Sequence, residues 1–199
     1  MSYRSLALVM GSARHGRRCD AVTAWVRHRI EANSDWLVEI IDPQRLALSF
    51  IDQPLPRASW ANLEARLDHA EAMLIVSPEY NHGYTAALKQ LIDASSASWC
   101  AKPVGLVGYG GQSGGLRALM QLRQVITALE AMPLSPEVSL AHINQLIDTD
   151  GALQATPAQG RQLDRLIKRL DWWHDALAPA RHAPVDTEAD QERTTPTSM

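Results

Sequence analysis

Apolar runs and amphipathic segments alternate along this chain. Five runs, Ser5–Met10 (SLALVM), Trp36–Ile41 (WLVEII), Ala72–Ser77 (AMLIVS), Pro103–Tyr109 (PVGLVGY) and Pro136–Ile143 (PEVSLAHI), are largely continuous rather than alternating. A strand covered on both faces needs apolar side chains on both, so these runs predict a five-stranded parallel sheet with helices on each side. The segments between them carry the helical period. Val22, Trp25, Val26 and Ile30 follow the first run, Leu63, Leu67 and Ala70 precede the third, and Leu88, Leu91 and Ile92 follow it. A fourth helix is marked by Leu116, Leu119, Met120, Ile126 and Leu129. The last opens at Thr156, Pro157 and Gln159, a capping box with proline at the first helical position, and continues through Leu163, Leu166, Ile167, Leu170 and Trp173.

Two segments break the pattern. Residues 42–59 contain three prolines and little periodicity, which predicts a long surface loop of the kind that often serves function. Residues 183–199 are polar and contain proline, so a tail without fixed structure is expected after a single domain over 1–182.

Composition narrows the function classes. The 199 residues are 46% hydrophobic, enough for one well-cored domain, and the net charge of −3 gives no electrostatic reason to expect nucleic acid or an anionic membrane surface as partner. Two cysteines, Cys19 and Cys100, make neither a disulfide framework nor a zinc site. The expectation is a cytoplasmic protein, and no apolar stretch is long enough to span a membrane.

The chemistry should lie in three loops that leave the carboxyl edge of the sheet, where open parallel sheets bind ligands. The first, Gly11–Arg18 (GSARHGRR), combines a small turn, the Ser12 hydroxyl, a helix start and the guanidinium forks of Arg14, Arg17 and Arg18, which together suit a phosphate. It is not a Walker loop, because Gly16 is followed by Arg17 and Arg18 instead of Lys and a hydroxyl residue. Nor is it a dinucleotide fingerprint, because Ala13 stands where the second glycine is needed. A terminal phosphate monoester remains. The second loop, Ser77–Tyr84 (SPEYNHGY), offers the ring of Tyr80 and the amide of Asn81. The third, Gly108–Arg117 (GYGGQSGGLR), is rich in glycine, so Gly110 and Gly111 can bring backbone N–H groups against a ring edge. Phosphate at one loop and a planar heterocycle between the other two describe flavin mononucleotide.

In these three motifs, Gly11-Ser12-Ala13-Arg14, Pro78-Glu79-Tyr80-Asn81 and Gly110-Gly111-Gln112-Ser113-Gly114-Gly115, the chain resembles the NAD(P)H-dependent FMN reductases of the flavodoxin-like superfamily. The likeness runs from about Tyr3 to Leu177. It implies a flavodoxin-like doubly wound sheet of order 2-1-3-4-5 and an FMN enzyme that moves two electrons from NADH or NADPH to a small-molecule acceptor such as a quinone, azo compound, chromate or free flavin, by ping-pong kinetics. It also implies a homodimer or homotetramer, with Leu91, Asp93 and Trp99 as a subunit face. The FMN contacts expected are Ser12, Arg14, Arg17, Arg18, Cys19, Pro78, Glu79, Tyr80, Asn81, Tyr109, Gly110 and Gly111, with no catalytic side chain, since the flavin carries the chemistry. A flavodoxin-type electron carrier and a flavin-based redox sensor are the alternatives.

Overall fold

The computed structural model describes residues 4–46 and 57–181, the side chains of 57–60 excepted. Its elements run β1 (Arg4–Met10), α1 (Cys19–Asn33), β2 (Trp36–Ile41), α2 (Arg57–His69), β3 (Ala72–Pro78), α3 (Ala86–Asp93), β4 (Pro103–Tyr109), α4 (Leu116–Ala128), β5 (Met132–Pro133), β6 (Val138–Leu140) and α5 (Pro157–Arg181). The sheet is parallel throughout, in the order β2-β1-β3-β4-β5, with β6 also pairing with β4. This is the flavodoxin order.

Strand pleating divides the apolar runs between two cores. In β1 and β3, Leu6, Leu8, Met10, Ala72, Leu74 and Val76 point to one face and pack with α1 and α5. Ala7, Val9, Met73 and Ile75 point to the other, against residues of α2, α3 and α4. Side chains that alternate by two along a strand explain why the runs had to be apolar at every position. The predicted capping box forms at the start of α5: Gln159 N–H donates to the Thr156 hydroxyl at 3.3 Å, and Thr156 N–H donates to the Gln159 side chain at 2.8 Å.

Three expectations are corrected. The fifth strand is two short pieces flanking residues 134–137, with β6 covering only the middle of the Pro136–Ile143 run. Arg123 of α4 holds the intervening segment, donating to the Leu134 carbonyl at 2.5 Å and to Glu137 at 2.7 Å. Of the loop expected over 42–59, the last three residues belong to α2, while 47–56 lie outside the described residues, as does the tail from 183. The fourth helix forms where expected, with Leu119, Leu122 and Ile126 buried and Leu116 and Met120 facing outward. Leu91 and Trp99, expected on a subunit face, are fully buried in the chain's own core.

Candidate functional site

Register brings the strand ends level. Met10 lies beside Val76, Pro78 beside Tyr109, and Tyr109 beside Leu140. The three loops leaving there surround a cavity of about 350 Å³. Nine of the twelve residues expected at a flavin line it: Arg14, Arg17, Arg18, Pro78, Glu79, Tyr80, Tyr109, Gly110 and Gly111. His15, Gly16 and Ile143 join them. Ser12 and Cys19 lie beneath, fully buried, and Asn81 is exposed on a hairpin tip.

The first loop begins where Gly11 N–H donates to the Val76 carbonyl at 2.7 Å. A Cβ on Gly11 would also stand 2.7 Å from that oxygen, so the close passage of β1 past β3 requires glycine here. The Thr85 hydroxyl donates to the Gly11 carbonyl at 2.5 Å and accepts from Leu88 N–H at 3.1 Å, so one side chain caps α3 and anchors the loop. Nothing in the sequence marked Thr85 for this, since its partner is 74 residues away. Past Ser12, the N–H groups of Ala13, His15, Gly16 and Arg18 have no backbone acceptor among the described residues, and α1 starts after Arg18 without a side-chain cap. Such N–H groups at the positive end of a fifteen-residue helix form a setting in which an anion is stabilised.

The arginines of this loop have different environments. Arg14 sits over the Tyr80 ring, and Arg18 donates to the Asn144 side chain at 3.0 Å. Arg17 is enclosed: its side chain is 3% exposed and its guanidinium meets Asp42 through two bonds of 2.7 Å. Further bonds go to Asp20 and to the Ser12 carbonyl. The fork expected to meet phosphate is thus committed to protein acceptors. Bonding to Asp42 raises the Arg17 pKa further. Burial works to raise the Asp42 carboxyl, yet the Arg17 bonds and the Gln44 N–H overcome it and hold it below the usual carboxylate range. Burial pushes the Cys19 thiol up, leaving it a packing residue. The Tyr109 hydroxyl turns inward toward Cys19, and burial raises its pKa too.

The second loop is a tight hairpin. Tyr80 and Gly83 exchange backbone bonds of 2.9 and 3.0 Å, and Asn81 and His82 between them take left-handed conformations at φ 50° and 67°. The Tyr80 hydroxyl lies 3.1 Å from that of Ser12.

Glu79 ties this hairpin to the third loop. Its N–H donates to the Tyr109 carbonyl at 3.0 Å, and its carboxylate accepts the Arg117 backbone N–H at 3.1 Å and the Arg117 guanidinium at 2.6 Å. Burial pushes the Glu79 carboxyl up, but the bonds from Ser113 and Arg117 hold it below its ordinary value. Within the third loop, Gly110 N–H donates to the Leu140 carbonyl at 3.2 Å, so this donor is spent on the fold instead of facing a ring edge. Gly111 N–H has no backbone acceptor among the described residues, while its carbonyl accepts His142 N–H at 2.8 Å. The glycines divide accordingly. A Cβ on Gly115 would stand 2.5 Å from Tyr109 N, and φ is 92° there, so the fold demands it. At Gly111 a Cβ would meet nothing within 4 Å, so the protein's own packing leaves that space open. The N–H groups at the start of α1, without backbone acceptors among the described residues, and the open space at Gly111 fit the two ends of FMN, with phosphate at the first and ring at the second.

Comparisons with known proteins identify the family. The chain is 31% identical over 146 residues to the NAD(P)H-dependent FMN reductase LOT6 of Saccharomyces cerevisiae, covering 63% of this chain and 74% of the relative. It is 29% identical over 181 residues to a 2-hydroxy-1,4-benzoquinone reductase of a Burkholderia species, covering 85% and 96%. Among solved structures, FerB, a flavoenzyme NAD(P)H:(acceptor) oxidoreductase from Paracoccus denitrificans, superposes with a TM-score of 0.70 at 20% identity, covering 87% and 98%. The model of the NADPH-dependent FMN reductase family matches residues 4–145, from β1 through the turn that backs the glycine-rich loop. With most of the chain and all three ligand loops inside that match, the chain belongs to the NADPH-dependent FMN reductases, enzymes that use FMN and draw electrons from NAD(P)H.

Proposed function

We propose that this protein is an NAD(P)H:acceptor oxidoreductase whose second substrate is a quinone or a similar small electron acceptor, and that donor and acceptor take turns at one open face. The observation that carries this reading is the convergence of three loops on a single cavity at the sheet edge. FMN, when bound, supplies the two-electron relay between nicotinamide and acceptor. The chain's own part is placement. Backbone N–H groups at the start of α1 hold the phosphate, with Arg14 beside them. Tyr80 and the glycine-rich loop, stitched together by Glu79, hold the ring plane. Gly111 keeps its edge clear for close backbone approach. The quinone-reducing Burkholderia relative supports the choice of acceptor class.

Two measurements test this reading. Titration of the apoprotein with FMN, riboflavin and FAD should give one FMN per chain, with riboflavin weaker for lack of phosphate and FAD weaker because its adenylate meets the first loop. Steady-state oxidation of NADH or NADPH with a quinone should give parallel lines in double-reciprocal plots. Intersecting lines, or no turnover with any quinone, azo compound, chromate or free flavin, would refute the proposed reaction.

A further inference from the structure

We propose that Arg17 is a positioning residue: clamped by Asp42, it grips the Ser12 carbonyl and thereby aims the Ala13 N–H at the anion site. This rests on the reading of the first loop as a phosphate site. The Arg17 guanidinium is planar and saturated. One edge meets Asp42 as a two-bond fork, each bond 2.7 Å, its remaining donors reach Asp20, and one nitrogen also donates to the Ser12 carbonyl. With its side chain 3% exposed and its N–H donors committed to these acceptors, it has no edge left for a ligand.

The consequence lies in the Ser12–Ala13 peptide. A trans peptide is a rigid plane in which C=O and the following N–H point in opposite directions. Fixing the Ser12 carbonyl toward Arg17 therefore points the Ala13 N–H the other way, and that N–H has no backbone acceptor among the described residues. Asp42 stands at the end of β2 and fixes Arg17 from outside the loop. Asp42 and Asp20 line a separate cavity of about 740 Å³, whereas Arg17 lines the ligand cavity, so the two carboxylates hold Arg17 from outside that cavity.

The Asp42→Asn variant separates positioning from charge, because the two predict opposite signs. Removing a carboxylate near an anion site, and freeing Arg17 to reach the anion, should tighten FMN if only charge matters. Loss of the clamp should weaken FMN by about tenfold, a factor within reach of one misaimed charged hydrogen bond, while riboflavin changes little. FMN binding that is tighter or unchanged in Asp42→Asn overturns the proposal. Arg17→Lys is the companion variant: it keeps the charge but loses the fork, and it too should lose selectivity for FMN over riboflavin. Full selectivity in Arg17→Lys would overturn the proposal by showing that a point charge suffices. In the wild type, the Ala13 amide proton should move downfield in NMR when FMN is added and stay put with riboflavin. An Ala13 resonance indifferent to FMN also overturns it. Failure of the underlying reading would show separately, as a wild type that binds riboflavin as tightly as FMN.

Discussion

The Arg14 guanidinium carbon lies 3.7 Å from the centre of the Tyr80 ring, which joins the phosphate loop to the ring loop across the mouth of the cavity. The hydroxyl pair of Ser12 and Tyr80, 3.1 Å apart, joins them a second time on the buried side. A residue at this junction can serve either loop, so its role has to be read from the ligand that notices its loss.

Arg14→Ala should weaken FMN by roughly 1.5–3 kcal/mol, about tenfold to a hundredfold, as for a charged hydrogen bond. Riboflavin should lose only the smaller effect of a freed Tyr80 ring, on the order of 0.5–1 kcal/mol for an exposed cation–π contact. Flavin fluorescence titrations of both ligands measure the ratio. An equal loss for the two ligands would assign Arg14 to the ring and not to the phosphate.

Glu79→Ala should behave in the opposite way. Its carboxylate bridges the second and third loops through Arg117, so its removal should loosen the ring site and lower FMN and riboflavin affinity by a similar factor. The FMN to riboflavin ratio should stay near the wild-type value. A selective loss of FMN would mean that Glu79 acts on the phosphate.

Gly111→Val should leave thermal stability within about 0.5 kcal/mol of wild type, since a Cβ there stands in open space, with nothing beyond its chain neighbours within 4 Å. FMN affinity should drop by well over about tenfold, because the branched side chain fills the space that a ring edge needs. Gly115→Val is the control. It should lower stability sharply, at a position where φ is 92° and Tyr109 N would lie 2.5 Å from the new carbon.

Lys102 supplies a pH dependence remote from the site. It is buried with its ammonium donating to the Leu67 and Asp68 carbonyls at the end of α2. Burial lowers its pKa from 10.5 to about 8, against an opposing pull from Asp68. Below about pH 8 folded and unfolded chains both carry the proton, and the burial cost is fully present. Between about 8 and 10.5 the unfolded chain binds more protons, so stability should rise with pH across that window. The gain is at most about 3 kcal/mol. Urea unfolding at pH 8 and pH 10 should show this rise in the wild type and a smaller one in Lys102→Met. The same slope in both would assign it elsewhere.

Local pattern was enough for most of the architecture. Continuous apolar runs located β1 to β4, the helical period located the buried faces of α1, α3 and α5, and the Thr156–Gln159 box marked the start of α5. These features depend on residues within a few positions of one another, so they are legible without knowing what packs on what. The same holds for the three loops, whose glycines, hydroxyls and arginines announce a phosphate and a flat ring by residue type.

What each of those residues does was decided by the tertiary structure. Arg17 reads as a phosphate ligand until β2 brings Asp42, 25 positions on, against its guanidinium. Gly110 reads as a ring donor until β6 claims its N–H through Leu140, and Leu91 and Trp99 read as a surface until the core closes over them. Glu79 meets Arg117 across 38 positions, and Thr85 meets Gly11 across 74. The sequence by itself determined the layers, the sheet edge and the class of ligand, because periodicity and residue chemistry are local. Only the folded chain decided which donors remain free for that ligand, because a donor is spent or spared according to which distant strand end the sheet register sets beside it.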